Sequence, residues 1–439
     1  MRLRRFIYTT TMYLLTPVIL YRLAVRGFHY REYFSRWRER FGFFRNPHIR
    51  DSIWLHAVSM GEVNAALPLI DALMQRYKGA PFVITTVTPT GSERVRRVYG
   101  DRVFNVYLPY DLPASIGRFL DRVQPRLAVV METEIWPNLF FACEARNIPL
   151  VVANARLSEK SLRGYGPVRP LARKALASAR YIAAQSATDA QRLRDLGADV
   201  EKLGIVGNLK YDMTVPPELK GQAQEMRNTW GTRRPVWIAA STHEGEEEPV
   251  LKAHAAVLGR FPDALLLLVP RHPERFKPVE QDCRSFGYVT RTRTGDGIAG
   301  SDTQCFVVDT LGELLLFYAT GDVAFVGGSL VPIGGHNVLE PAALSVPVIV
   351  GPQTFNFTEI TGDLIEAGAV LRIEDADELG ATVIRLLADA PLRQQIGTAG
   401  RAAFEREQGG VLRTVGIVEK VLEQASSAAR FSGNQLSSR

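Results

Sequence analysis

Cysteine is scarce: Cys143, Cys283 and Cys305 are the only three in a chain of 439 residues. They are odd in number and far apart, which excludes a disulfide framework or paired zinc knuckles and points to buried thiols in a reducing compartment. Lysine is missing from the first fifty residues, where eleven arginines face only Glu32 and Glu39. That segment carries a charge of +9 and twelve of the forty aromatics, whereas residues 51–439 balance at −2. The surplus therefore marks one basic, aromatic end on a near-neutral protein, and no nucleic-acid partner is expected.

Long hydrophobic runs are also lacking. Residues 6–21 are uncharged between Arg5 and Arg22, but a helix of that length reaches roughly 24 Å, short of a hydrocarbon core of about 30 Å. Thr9, Thr10, Thr11 and Pro17 weaken it as a span, and no small-x-small site follows to mark a cleaved signal peptide. Beyond it, Phe28, Phe34, Trp37 and Phe41 interleave with Arg31, Arg36, Arg38 and Arg40, a mixture suited to the headgroup zone of an anionic membrane. Residues 1–45 are therefore expected to form a helical membrane-attachment segment, either lying on the surface or crossing as a single signal-anchor. The alternative is a helix packed on the protein body with a solvated arginine face.

Several chemical signatures are absent. No GxGxxG follows a strand and no GxxxxGKS/T occurs, which removes the usual fingerprints of dinucleotide redox enzymes and P-loop NTPases. HEGEE at 243–247 is not HExxH, so a zincin is excluded. Asp375-Ala376-Asp377 resembles a metal-binding DxD but reads as solvated surface, so neither metal nor cofactor is expected.

What is present is an α/β alternation. SIWLHAV, FVITTV, VFNVYL, RLAVVM, PLVVAN and YIAAQ read as buried parallel strands, with helices starting near Val63, Gly91, Pro113, Trp136 and Ala187. A polar, proline-bearing stretch follows, and the series restarts with PVWIAAS, ALLLLVP, QCFVVD, DVAFVGGS and VPVIVG. The expected fold is two Rossmann-like, doubly wound domains facing a cleft, over residues 46–215 and 231–410, joined by a linker at 216–230. Residues 411–425 should form a helix packing back on the first domain, followed by a disordered tail at 426–439. LHAVSMGEV and IAASTHEGEE echo one another across the two halves, each reading strand, Ser-bearing loop, Gly-Glu, helix.

The sharpest local feature is FVGGSLVPIGGHNVLEPAAL, 325–344. A strand ends on Gly327-Gly328, a second glycine pair precedes His336-Asn337, and a helix opens with Glu340 in its first turn. Glycines admit a ligand to the backbone and a helix N-terminus favours phosphate, so a nucleotide is expected here. Arg271-His272, directly after ALLLLVP, can add cationic donors. In the first half, Glu62 opens a helix after the first strand, Met131-Glu132-Thr133-Glu134 ends another strand, and Lys210 lies where the chain leaves the domain. Each alone reads as structural more readily than chemical. Their joint position at one rim suggests a general base among crowded carboxylates and a cation for developing phosphate charge.

These residues, in SMGEV, METEIWPNL, NARLSEKS, GNLKYD, STHEGEE, VPRHPERF, GGSLVPIGGHN-LEPAAL and GPQTFNF, resemble the 3-deoxy-D-manno-oct-2-ulosonic acid (Kdo) transferases of Gram-negative bacteria, in order and over almost the whole chain. The resemblance implies a GT-B architecture and an inverting, metal-independent transfer of Kdo from CMP-Kdo to a hydroxyl of the lipid A precursor (lipid IVA), releasing CMP, in lipopolysaccharide biosynthesis. It implies Glu62 as general base and Glu132 and Lys210 as transition-state stabilisers. Pro270, Arg271, His272, Leu311, Gly312, Glu313, Asn337, Val338, Leu339 and Glu340 become CMP contacts; the Leu311 segment alone would read as an ordinary helix start. The implied location is the cytoplasmic face of the inner membrane. Two other functions compete: another GT-B sugar-nucleotide enzyme, and a membrane-bound scaffold that keeps a catalytically dead transferase fold.

Overall fold

The computed structural model describes residues 2–29 and 31–436. The chain divides into two compact units, Met1–Met213 with Gln408–Arg439, and Thr214–Glu407.

The first unit is built on a parallel sheet of β1 (Ser52–His56), β2 (Phe82–Thr86), β3 (Phe104–Tyr107), β4 (Pro125–Met131), β5 (Leu150–Ala155), β6 (Tyr181–Ala184) and β7 (Leu203–Ile205). Their spatial order is β3-β2-β1-β4-β5-β6-β7. The second unit repeats the plan with β8 (Val236–Thr242), β9 (Leu265–Pro270), β10 (Thr290–Thr292), β11 (Cys305–Val307), β12 (Val323–Val326), β13 (Val348–Val350) and β14 (Val370–Arg372), in the order β10-β11-β9-β8-β12-β13-β14. Central strands such as β1, β2 and β8 are buried along their whole length, because helices cover both faces of a parallel sheet. Only the strand ends are then open to chemistry. In each sheet the strand order reverses at one place, between β1 and β4 and between β8 and β12, and a ligand crevice forms where the connections diverge.

Several boundaries differ from the sequence expectation. The stretch assigned to a linker holds a helix, Leu219–Trp230, whose Leu219, Ala223, Met226 and Trp230 are buried at helical spacing. Helices Glu159–Gly164 and Arg169–Ser178 occupy a segment in which no helix was expected. β7, β10 and β14 have three residues each, and β10 and β14 lie at the edges of the second sheet, too short to show a pattern. The C-terminal helix runs Gly410–Leu436, so helix continues well past residue 425, where a disordered tail was expected; residues 437–439 lie outside the described residues.

The N-terminal helix, Arg2–His29, is pinned to the first unit along one side. The Tyr8 hydroxyl donates to Asp111 Oδ2 at 2.9 Å, Arg5 Nε donates to Asn138 Oδ1 at 3.2 Å, and Thr9 pairs with the same amide. Leu3, Ile7, Leu14, Val18, Tyr21 and Val25 recur at helical spacing and are exposed. No helix among the described residues is long and apolar enough to cross a membrane. Two of the four arginines expected among headgroups are structural instead. Arg40 is buried and donates to the Val87 carbonyl at 2.8 Å, and Arg36 reaches Glu39 at 2.7 Å and the Asn105 carbonyl at 2.7 Å.

The C-terminal helix joins the first unit through Val411, Val418 and Val421, which enter that unit's core. Its start is held by the Asp212 carboxylate, which accepts from Gly409 N at 2.6 Å and Val411 N at 2.7 Å. Asp212→Ala leaves both amides without that acceptor and should cost about 1–2 kcal/mol. The expected result is faster hydrogen exchange and earlier proteolysis in residues 410–420, with the 214–407 unit unaffected.

Candidate functional site

Each sheet presents polar residues at its switch point. In the first unit, β1 leads into Ser59, which caps the helix Met60–Arg76. Ser59 Oγ accepts from Glu62 N at 3.4 Å, and the Glu62 carboxylate folds back to accept from Val58 N at 2.9 Å, a reciprocal cap of the S-x-x-E kind. The bond from Val58 N, and a longer one that the Ser59 hydroxyl donates to Oε1 at 3.4 Å, favour the carboxylate form. Burial outweighs them, and the charges of Glu132 and Glu134 add to it, so that the Glu62 carboxyl is pushed up to about 8.

Glu132 follows β4 immediately and sits in the left-handed region at φ 54°, a conformation that costs an ordinary residue on the order of 1 kcal/mol and clusters at working sites. Its own amide still donates to the Ala153 carbonyl at 2.8 Å, so the backbone there is anchored to β5. Glu134 is also raised, by burial, although Trp136 Nε1 donates to it at 2.9 Å. Lys210 lies on a short 3-10 turn, Leu209–Asp212, that Asn154 draws toward the sheet by accepting from Leu209 N at 3.0 Å. Burial lowers the Lys210 ammonium, Glu132 and Glu62 raise it, and Arg156 opposes them. Glu62, Glu132 and Lys210 thus form one interacting group. Arg156, half-buried beside Thr133, belongs to the same field; nothing in its own short motif marks it.

In the second unit the central element is Glu246, fully buried; the sequence marks it as a helix start and as the acid of the repeated Gly-Glu pair, but not as a site residue. Oε2 accepts from Gly328 N at 2.7 Å and His243 N at 3.0 Å; Oε1 accepts from Leu330 N at 2.9 Å and Ser329 N at 3.0 Å. Four backbone amides on one carboxylate fix the Gly-Gly-Ser loop. Gly327 is obligatory beside it, because a Cβ there would come within 2.8 Å of the Ser241 carbonyl and 2.9 Å of a Glu246 oxygen. The loop closes on itself where the Gly328 carbonyl accepts from Gly335 N at 2.7 Å and Gly334 N at 3.0 Å.

The loop delivers His336 to His243, Nε2 to Nε2 at 2.8 Å, with rings parallel to within 4°. His272 meets His243 edge-on at 5.2 Å between ring centres. Arg271, one residue beyond β9, is tied by its amide to the Thr242 carbonyl at 3.0 Å. Asn337 Nδ2 donates to Glu340 Oε1 at 3.0 Å, and burial raises the Glu340 carboxyl, with Arg271 opposing. Pro270, Val338 and Leu339 are buried next to these residues in the chain. Glu313 stands apart: its carboxylate is paired with Arg293 at 2.6 Å and accepts from Thr310 at 2.5 Å, beside exposed Leu311 and Gly312 at φ 96°. Its side chain is already engaged, so a ligand would find main-chain groups there. Among the described residues no cluster of three or more His, Cys, Asp or Glu could hold a metal ion.

Comparison with known proteins matches residues 35–213 to a family described as 3-deoxy-D-manno-octulosonic-acid transferase. A 3-deoxy-D-manno-octulosonic acid transferase of Haemophilus influenzae is 44% identical over 96% of this chain and 99% of its own. One from Bordetella pertussis is 38% identical over 84% and 86%. A crystal structure of a glycosyltransferase from Rickettsia africae covers 85% of this chain and 99% of its own at a TM-score of 0.55 and 13% identity, a likeness of fold.

Glu246→Gln turns one acceptor toward two amide N–H groups as a donor. It should destabilise the second unit by about 2–3 kcal/mol. Faster exchange of the Gly328, Ser329 and Leu330 amides, with the first unit unchanged, is the expected readout.

Proposed function

This chain belongs to the 3-deoxy-D-manno-octulosonic acid transferase family, and we propose that it takes Kdo from CMP-Kdo and joins it to a hydroxyl of the lipid A precursor, with inversion and without a metal. The transfer of Kdo in lipopolysaccharide biosynthesis follows from the family. The donor, acceptor and residue roles are our reading of the site.

In that reading the acceptor oxygen attacks the anomeric carbon of Kdo while its proton passes to Glu62. The bond from that carbon to the CMP phosphate breaks, and CMP leaves with the electron pair. A base titrating near about 8 holds the acceptor's proton far better than an ordinary carboxylate would, and that property of Glu62 carries the proposal. Glu132 and Lys210 set the field in which charge develops. Arg271 and His272, the backbone at Leu311, Gly312 and Glu313, and the segment from Asn337 to Glu340 hold the CMP, with cationic side chains in the role a metal plays elsewhere. Attachment to the cytoplasmic face of the inner membrane, through the exposed apolar side of Arg2–His29, would place the enzyme beside a lipid acceptor. One pinned side and one bare apolar side fit a helix lying in the interface more than one crossing it.

Glu62→Gln should lower transfer to lipid A precursor by about 10²–10⁴-fold, followed by mass spectrometry of the lipid, with CMP affinity near normal. Because the base works as carboxylate, the wild-type rate should climb with pH and level off near about 8; undiminished turnover in the variant removes Glu62 from the role. A preference for UDP over CMP in calorimetry would defeat the donor assignment. Separately, the triple change Leu14→Asp, Val18→Asp and Tyr21→Asp alters only exposed positions. It should reduce sedimentation with anionic vesicles and leave CMP binding intact, and unchanged sedimentation would defeat the attachment.

A further inference from the structure

Three neighbouring strands of the second sheet each end on an imidazole. β8 leads to His243, β9 to His272, and β12, through the glycine loop, to His336. The 2.8 Å contact between His243 Nε2 and His336 Nε2 can exist only if one nitrogen carries a proton and the other does not, so the pair shares a single hydrogen-bonding proton. The groups that act on His336 are Arg271, His243 and His272, all of them cationic or potentially so.

Nearby carboxylates are occupied elsewhere. Glu246 is held by four amides, Glu244 and Glu247 face Arg275 at 3.7 and 3.5 Å, and Glu340 is bonded by Asn337. Among the described residues the Arg271 guanidinium and the His272 ring make no hydrogen bond. The result is four nitrogen-bearing side chains grouped together; Arg271 also acts on Glu340, but no carboxylate is among the groups that act on His243 or His336. Such a cluster stays neutral where it can: burial and the neighbouring cations hold His336 down to about 3 and lower His243 as well.

We propose that His243 and His336, with Arg271 and His272, form a cradle for a phosphate dianion, and that closing it on the anion places an additional proton on the histidine pair. This rests on the nucleotide reading of the second unit and assigns to it two residues outside the CMP contacts inferred above, His243 and His336. An incoming dianion reverses the field at the pair: the imidazolium form, disfavoured among cations, becomes the favoured donor to a phosphate oxygen. The pair is then a proton-linked binding element for the phosphate of CMP as it leaves: in the donor that phosphate is a diester with one charge, and it becomes a dianion only when the bond to the sugar breaks.

The test is calorimetry on the full-length protein at constant ionic strength, from about pH 8 to about pH 6, with sulfate, CMP and cytidine as separate titrants. Sulfate stays doubly charged throughout, so any pH dependence belongs to the protein. Linkage of one proton allows up to about a tenfold gain in affinity per pH unit. We expect sulfate to tighten at least about threefold per unit as pH falls, cytidine to show no slope, and H336Q and H243Q each to flatten the sulfate slope. A flat wild-type slope, or variants that keep both affinity and slope, overturns the proposal. His243 is only half-buried, so H243Q remains informative should H336Q unfold. If sulfate shows the expected slope but CMP binds no better than sulfate, the cradle stands and the nucleotide reading fails.

Discussion

A carboxylate folded back on the backbone at the start of the helix after the first strand organises both units, and the two copies of this device have diverged. In the second unit Glu246 accepts from four amides and is fully buried. A carboxylate so bonded has no capacity left for a substrate, and what it holds is the glycine loop that carries His336. In the first unit Glu62 accepts from one amide and lies beside Glu132 and Glu134. The same placement, given fewer donors and two like charges, yields a carboxyl that binds a proton near neutral pH instead of a loop clamp. Both follow a Gly-Glu pair after the first strand of their unit, and both sit where the parallel sheet reverses its order. That is the one place where a sheet buried on both faces leaves polar groups accessible.

The central strands were legible in the sequence because they are apolar on both faces, and their parallel, doubly wound arrangement followed from the alternation with helices. Glu62 and Glu132 were legible as positions at strand ends. What made them reactive was not, since the raised Glu62 carboxyl depends on burial and on residues some seventy positions away. The Gly-Glu echo marks the position of Glu246 but not its work: HEGEE offers several acids in a row, and only the folded chain shows which one meets Gly328, Ser329 and Leu330. His243 escaped notice likewise, as its significance comes from His336, ninety-three positions on. The 216–230 segment was misread because two prolines and many polar residues precede a helix that buries only four side chains. The three-residue edge strands had no room to display a period.

The arginine-rich end divides in a way that charge counting could not anticipate. Arg36 and Arg40 lie against the Tyr107 ring at 4.8 and 4.3 Å and bond backbone carbonyls, so they fasten the segment to the body. Arg5 similarly stacks on Phe141 at 5.0 Å. Arg31 and Arg38 remain exposed, as do the aliphatic stripe of the N-terminal helix and Phe28, Phe34 and Trp37. An apolar stripe of this length left bare on a folded domain is a liability in water unless something covers it. Its flanking guanidinium groups make an anionic bilayer a chemically consistent cover.

Glu62 in one cluster and His336 in the other are held neutral against the charged form preferred in water, and the signs of the two costs are opposite. Glu62 titrates near about 8 in the fold against an ordinary 4.5, so the folded state binds more protons between those values and loses stability as pH rises through them. His336 titrates near about 3 against an ordinary 6.5, so the unfolded state binds more protons there and stability falls as pH drops. The two costs together are smallest between the ordinary values, 4.5 and 6.5, where both groups are uncharged in the fold. Each responds to its partner through that balance: Glu62 takes the acceptor hydroxyl's proton as the carboxylate that forms as pH rises toward about 8, and a dianion draws a proton onto the histidine pair. A protein that kept Glu62 and His336 fully charged would be easier to solvate and would have less driving force left for its substrates, which is why the burial that costs stability here also makes the two groups chemically responsive.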